Sequence, residues 1–291
     1  MREKFRKLVK TREFLIGMLI FGFLILIYPI ISNMYYSIEQ NKIQVNYDNL
    51  VNEMSDIDIN SIRDEARRYN EGLFNMGSDF DVGNRYSYIE ESIKSNTLPY
   101  FFLEDKVIGS VIVPKVDINI PIFSGTTDSV LEKGAGLMLT GSLPVGGAST
   151  HTIITGHRGL PSSRLFRDLG ELKLKDLFVI NVLGEKMAYE VDEINIISPS
   201  DFSHLNIERG KDYATLLTCH PYMINSERLL VRGHRVPYVE DTIKEMNKQK
   251  KENRAKLLFE KYKEYIYGVI IFTILITGVS IYDKRKKKYE E

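Results

Sequence analysis

The 291-residue chain contains a single cysteine, Cys219. A lone thiol excludes an internal disulfide. With five histidines scattered along the chain, no cysteine–histidine–carboxylate set has the spacing of a tetrahedral zinc frame. The formal net charge is zero, and the outer bulk of the chain is mildly acidic, which leaves no electrostatic footprint for nucleic acid. No G-x-G-x-x-G or G-K-[ST] pattern surrounds a glycine pair, so Gly146-Gly147 reads as a turn rather than a phosphate loop. There is no internal repeat and no low-complexity tract.

Two long apolar runs do stand out. Residues 14–31 are interrupted only by glycines, Tyr28 and Pro29, and are long enough for a bilayer core of roughly 20 residues. Six basic and two acidic side chains precede them in residues 1–13. No small-residue cleavage site follows, so the run reads as an uncleaved anchor. A second run, residues 265–282, has tyrosines at both ends, as interfacial belts do. Behind it comes Lys284-Arg-Lys-Lys-Lys288. The positive-inside rule places both basic tails in the cytoplasm and everything between them outside.

The pattern predicts a cytoplasmic tail (1–13), a transmembrane anchor (14–32) and a polar helical segment (33–106). A β-rich domain (107–238), a charged connector (239–264), a second transmembrane helix (265–282) and a second basic tail (283–291) follow. In segment 33–106 the apolar spacing is helical near residues 47–54 and 62–69. Residues 76–84 read as a loop rich in glycine, serine, asparagine and aspartate. Candidate strands lie at 107–113, 116–123, 152–155, 178–183, 188–197, 213–218 and 229–236, with short helices at 128–133 and 161–168. Many short strands at this spacing predict a mainly β, closed barrel.

Three residues carry chemistry at strand ends. Cys219 closes the run 213–218 and precedes Pro221-Tyr222. His157 follows the run Thr152-Ile-Ile-Thr-Gly, and Arg228 opens the run 228–232. A neutral thiol has a pKa of about 8.5 and needs a base to become a nucleophile. An imidazole can take that proton and return it to a leaving amine. A guanidinium can hold a developing oxyanion. His220 adjoins the cysteine but points to the opposite face of a strand, and His151 reads as structural. Arg228 and Arg232 share strand parity, so periodicity alone does not choose between them. Arg232 and Arg158 otherwise read as surface charge.

These residues in context resemble the sortase family. The resemblance rests on Thr155-Gly-His-Arg-Gly-Leu-Pro161, Thr215-Leu-Leu-Thr-Cys-His-Pro-Tyr222 and Asn225-Ser-Glu-Arg-Leu-Leu-Val-Arg-Gly233. Gly134-Ala-Gly, Ser142-Leu-Pro-Val-Gly-Gly147 and the second anchor are similar to the class C, pilus-assembling sortases. The resemblance implies a sortase-type barrel with an N-terminal lid, attached to the membrane and facing outward. It implies Cys219 as nucleophile toward the Thr–Gly bond of an LPXTG-like sorting signal, His157 as acid/base and Arg228 as oxyanion or carbonyl partner. The acceptor implied is a lysine amine of a pilin, with no cofactor or metal. A sortase of another class, acting on a cell-wall precursor amine, is an alternative, as are a secreted cysteine hydrolase and a non-catalytic surface β-domain. The class C lid motif is Asp-Pro-aromatic; here Gly77-Ser-Asp-Phe-Asp-Val lacks the proline. Asp79, Phe80 and Asp81 are the candidate lid residues.

Overall fold

The computed structural model describes residues 12–77, 82–103, 105–160, 162–241, 262–275 and 277–278. The predicted lid residues Asp79, Phe80 and Asp81 lie outside the described residues, as do the basic tails and most of the charged connector. The chain divides into two compact units, one of Met1–Met34 with Lys248–Glu291 and the other of Tyr35–Asn247.

Helix α1 covers Arg12–Glu53 and carries Pro29 inside it. The predicted anchor is thus not a separate element; its helix runs on through residues 33–53. Among the described residues one helix is long and apolar enough to cross a bilayer, and its apolar window is not buried. In the first unit, residues 262–275 of the second predicted span are also helical, while 276 and 279–282 lie outside the described residues. The Phe23 and Phe272 rings stack there, with centroids 4.6 Å apart.

In the second unit, α2 (Asp56–Asn75) starts at Ser55, whose hydroxyl accepts the Asp58 N–H at 3.1 Å. Asp56 and Asp58 in the first turn complement the helix dipole. A third helix, α3 (Val82–Lys94), takes over part of the predicted loop at 76–84. Both helices are tied to one loop of the barrel. Asn70 of α2 donates to the Leu143 carbonyl at 3.0 Å and accepts the Leu143 N–H at 2.7 Å. Arg85 of α3, almost fully buried, donates to the Thr140 carbonyl at 2.7 Å. Burial lowers its pKa to about 10.

Eight strands close the barrel: β1 (Val107–Val113), β2 (Ile118–Ser124), β3 (Ala135–Leu137), β4 (Thr150–Thr155), β5 (Leu177–Val182), β6 (Glu185–Ile197), β7 (Asp212–His220) and β8 (Glu227–Val236). Their order around the wall is β1-β2-β3-β4-β7-β8-β6-β5. Only β2–β3 and β4–β7 are parallel among the described pairs. Alternation sets the two faces. Ile154, Leu216, Leu229 and Val231 join the main core with Phe178, Ile180 and Tyr189. Their neighbours Ile153, Leu217 and Leu230 face the other way. They form a second apolar cluster with Ile197, Met138, Phe202 and Leu205.

Several local expectations change. Strand β3 is absent from the sequence reading because it has only three residues. The short helix expected at 128–133, α4, is confined to Asp128–Leu131. The helix expected at 161–168 is replaced by a 3-10 turn at Arg167–Glu171. Leu160 and Ser163 exchange backbone hydrogen bonds at 2.7 and 3.3 Å, and Leu165 sits at φ 39°, so no α-helix can run through this stretch. Likewise β2 begins at Ile118, because Pro114–Val116 form a 3-10 turn closed by Asp117 at φ 61°.

Candidate active site

Parallel pairing of β4 with β7 aligns Thr155 with Leu217. The chain leaving β4 is then stitched to the end of β7. Gly156 N–H donates to the Leu217 carbonyl at 3.1 Å, and the Thr218 hydroxyl donates to the Gly156 carbonyl at 2.7 Å. His157 therefore comes off the wall beside Cys219. An added Cβ at Gly156 would sit 3.0 Å from the Phe166 ring, so the small residue lets this segment lie flat on Phe166. The His157 carbonyl accepts the Phe166 N–H at 3.1 Å, which fixes the start of the loop.

Antiparallel pairing of β7 with β8 sets Cys219 directly opposite Arg228, and β8 with β6 sets Arg228 opposite Ile197. Cross-strand partners have Cβ atoms about 4.5–5.5 Å apart on a common face. A row thus crosses the outer wall: the His157 segment, Cys219, Arg228, Ile197. The next row is Thr155, Leu217, Leu230 and Asn195. Its two central members, Leu217 and Leu230, pack with Phe202 and Leu205 of the β6–β7 loop. Cys219, His157 and Arg228 are all half-buried.

The two arginines of equal parity separate cleanly. Arg228 donates to the backbone carbonyls of Asn225 at 3.1 Å and Glu227 at 2.9 Å, and no carboxylate pairs with it among the described residues. Arg232 lies opposite Thr215 instead. It is paired with Asp192 at 3.0 Å and Glu193 at 2.7 Å, and its guanidinium covers the Tyr213 ring at 4.3 Å. Those carboxylates hold its pKa above the ordinary arginine value against the cost of burial. It is neither free surface charge nor a neighbour of the thiol.

The other histidines are engaged elsewhere. His151 is sealed under the wall, with Nδ1 2.8 Å from the Asn206 carbonyl and Nε2 2.7 Å from the Thr215 hydroxyl. Burial lowers its pKa to about 4, helped by the charges of Arg232 and Arg85 and opposed by the Asn206 bond. His204 contacts Glu193 at 2.7 Å. His220 contacts Arg158 through Nδ1. Arg158, read from sequence as surface charge, is half-buried and reaches the Cys219 carbonyl at 3.3 Å. Sequence spacing could not have identified that contact, since a backbone carbonyl leaves no trace in residue type. A cavity of about 610 Å³ opens elsewhere, between α2 and α3, lined by Arg68, Tyr88 and Ser95 among others, and touches no part of this row. Among the described residues no group of three histidine, cysteine or acidic side chains could hold a metal.

A closed eight-stranded barrel with a half-buried thiol, an imidazole and a guanidinium along one rim defines a thiol-bearing acyl-transfer scaffold. The chain belongs to the sortase family: a family described as "Sortase domain" matches residues 111–236. It is similar to the crystal structure of Streptococcus pneumoniae sortase C. Identity is 41% and the TM-score 0.59, over 68% of this chain and 97% of that one. Clostridium perfringens sortase C, solved with its C-terminal cell wall sorting motif, is 35% identical with a TM-score of 0.58, over 67% of this chain and 98% of that one. Sortase A of Streptococcus agalactiae serotype III is 30% identical over 150 residues, 49% of this chain and 58% of that protein. The chain spans about three fifths of the length of the curated relatives it matches.

Proposed function

We propose that this chain is a membrane-anchored cysteine transpeptidase of the class C type. Cys219 attacks the Thr–Gly carbonyl of an LPXTG-like sorting signal and forms a thioester as the carbonyl carbon takes the sulfur and the amine leaves. His157 receives the thiol proton and returns it to that leaving amine. Arg228 stabilises the negative oxygen of the tetrahedral intermediate. A lysine amine of a second pilin then displaces the sulfur and leaves an isopeptide bond. The observation that carries this reading is the single row His157 segment, Cys219, Arg228, which joins residues remote in sequence. The crystal structure of the pneumococcal relative bears on the pilin substrate specificity of that protein, and this supports a pilin as donor and acceptor here.

Both basic tails are assigned to the cytoplasm and the barrel to the outside, on the charge asymmetry around the apolar runs. Asp79 or Asp81 is assigned to face Arg228, and Phe80 to cover Cys219, as a lid. Support comes from the residue types of Gly77-Ser-Asp-Phe-Asp-Val, which set aspartates beside an aromatic.

The test incubates the full chain in detergent with an LPXTG-type peptide and searches for an acyl adduct by mass spectrometry. The adduct maps to Cys219 and is absent in Cys219→Ala. It falls at least about a hundredfold in His157→Ala and Arg228→Ala, in line with loss of an acid/base or oxyanion group, and persists in Arg232→Gln. An active Arg228→Ala with an inactive, folded Arg232→Gln would reverse the assignment of the guanidinium. A lysine amine acceptor that outcompetes a peptidoglycan-type amine supports pilus assembly; the opposite preference assigns the chain to cell-wall anchoring.

A further inference from the structure

The loop that follows β4 touches the end of β7 at one further point. Arg158 Nη1 donates to the carbonyl of Cys219 at 3.3 Å and contacts Nδ1 of His220. A guanidinium has only donors, so this contact makes Nδ1 of His220 an acceptor and leaves the proton on Nε2. Arg158 Nε is buried without a partner among the described residues. No carboxylate pairs with this guanidinium among them either. Its charge is therefore not neutralised by an ion pair, and it lies against the backbone of the lone thiol residue.

The surrounding chain is shaped to admit it. A methyl group placed on Gly170 would stand 3.0 Å from Arg158 Nη2 and 3.6 Å from the Leu229 side chain. Arg167, in the same 3-10 turn as that glycine, donates to the Leu160 carbonyl at 3.3 Å and covers the Tyr222 ring at 5.2 Å. Two arginines thus connect the loop bearing His157 to the turn that follows Cys219. Arg158 alone reaches the cysteine itself.

We propose that Arg158 is a positioning residue: it clamps residues 219–220 against the loop of His157 from the face of β7 that His220 occupies, and so fixes the strand end that carries the thiol. The proposal rests on the transpeptidase reading for its kinetic consequence, but its effect on thiol reactivity does not. Holding the nucleophile and its base in register supplies the orientation part of the rate. Lysine carries the charge but lacks the planar fork that bonds a carbonyl and a ring nitrogen together. Lysine at 158 therefore restores the clamp only in part.

Because Cys219 is the only cysteine, iodoacetamide labelling of the full chain in detergent reads one site. In Arg158→Met the rate of alkylation at a fixed pH rises by about twofold or more as the strand end loosens. The kcat for sorting-peptide cleavage falls between about tenfold and a hundredfold, with KM within about twofold. Arg158→Lys recovers both readouts only in part. Gly170→Ala, which crowds the guanidinium and leaves residue 158 unchanged, moves both readouts in the same direction by less. A folded Arg158→Met with an unchanged alkylation rate and unchanged kcat overturns the proposal, as does an effect on KM alone. Should Arg158→Met fail to fold, Gly170→Ala decides: no movement of either readout overturns the proposal. Failure of the wild-type chain to form any peptide adduct overturns the transpeptidase reading instead, while the alkylation series still judges Arg158.

Discussion

Acidification should weaken this barrel through His151. The ring is 1% exposed and makes two hydrogen bonds, to the Asn206 carbonyl and the Thr215 hydroxyl. The carbonyl can only accept, so Nδ1 carries the proton, and Nε2 accepts from Thr215. The neutral ring therefore satisfies both partners. Folding lowers its pKa from 6.5 to about 4. The unfolded chain then binds one proton more than the folded chain between those values, and stability rises with pH across the window. It is complete above about pH 6.5, falls by about 1.36 kcal/mol per pH unit below that, and levels off below about pH 4. Going from pH 7 to pH 5 should cost about 2 kcal/mol from this residue alone. Urea unfolding followed by circular dichroism (the chain has no tryptophan) at pH 7, 6 and 5 measures it. His151→Gln lowers stability at pH 7 but removes this part of the slope. The two proteins differ only at residue 151, so the difference in slope belongs to that residue. Parallel slopes for wild type and His151→Gln between pH 7 and 5 would refute the reasoning.

Two further outcomes test the attachment of the helices and the lid. Asn70→Ala removes both bonds to Leu143 and leaves a buried N–H and C=O unpaired, which should cost about 2–4 kcal/mol in urea unfolding. Deleting residues 77–81 should raise the rate of Cys219 alkylation by iodoacetamide at least about threefold, the loss of a cover worth roughly 0.6 kcal/mol; an unchanged rate removes the lid assignment.

The strands legible in the sequence were those that carry an apolar run of their own, such as β1, β7 and β8. Strand β3 escaped because Ala135–Leu137 is held by pairing to β2 and β4 rather than by any pattern of its own. Helix α3 falls within the segment read as helical, but its own bounds escaped for a different reason. Its inward face includes Arg85 and Ser92 beside Ile89, so its buried side is partly polar and its periodicity reads as noise. Cys219, His157 and Arg228 could be named from local context, but parity could not choose between Arg228 and Arg232. The hairpin register makes that choice, because the turn from β7 to β8 puts position 228 across from 219 and position 232 across from 215. The second anchor is legible as an apolar run, while only residues 262–275 and 277–278 of that region are described.

Parallel neighbours on a wall finish at the same edge. Because β4 and β7 run side by side in one direction, both stop at one rim, and the chain between them, β5 and β6 included, has to leave that rim and return to it through the wall. Residues far apart along the chain become neighbours at that edge.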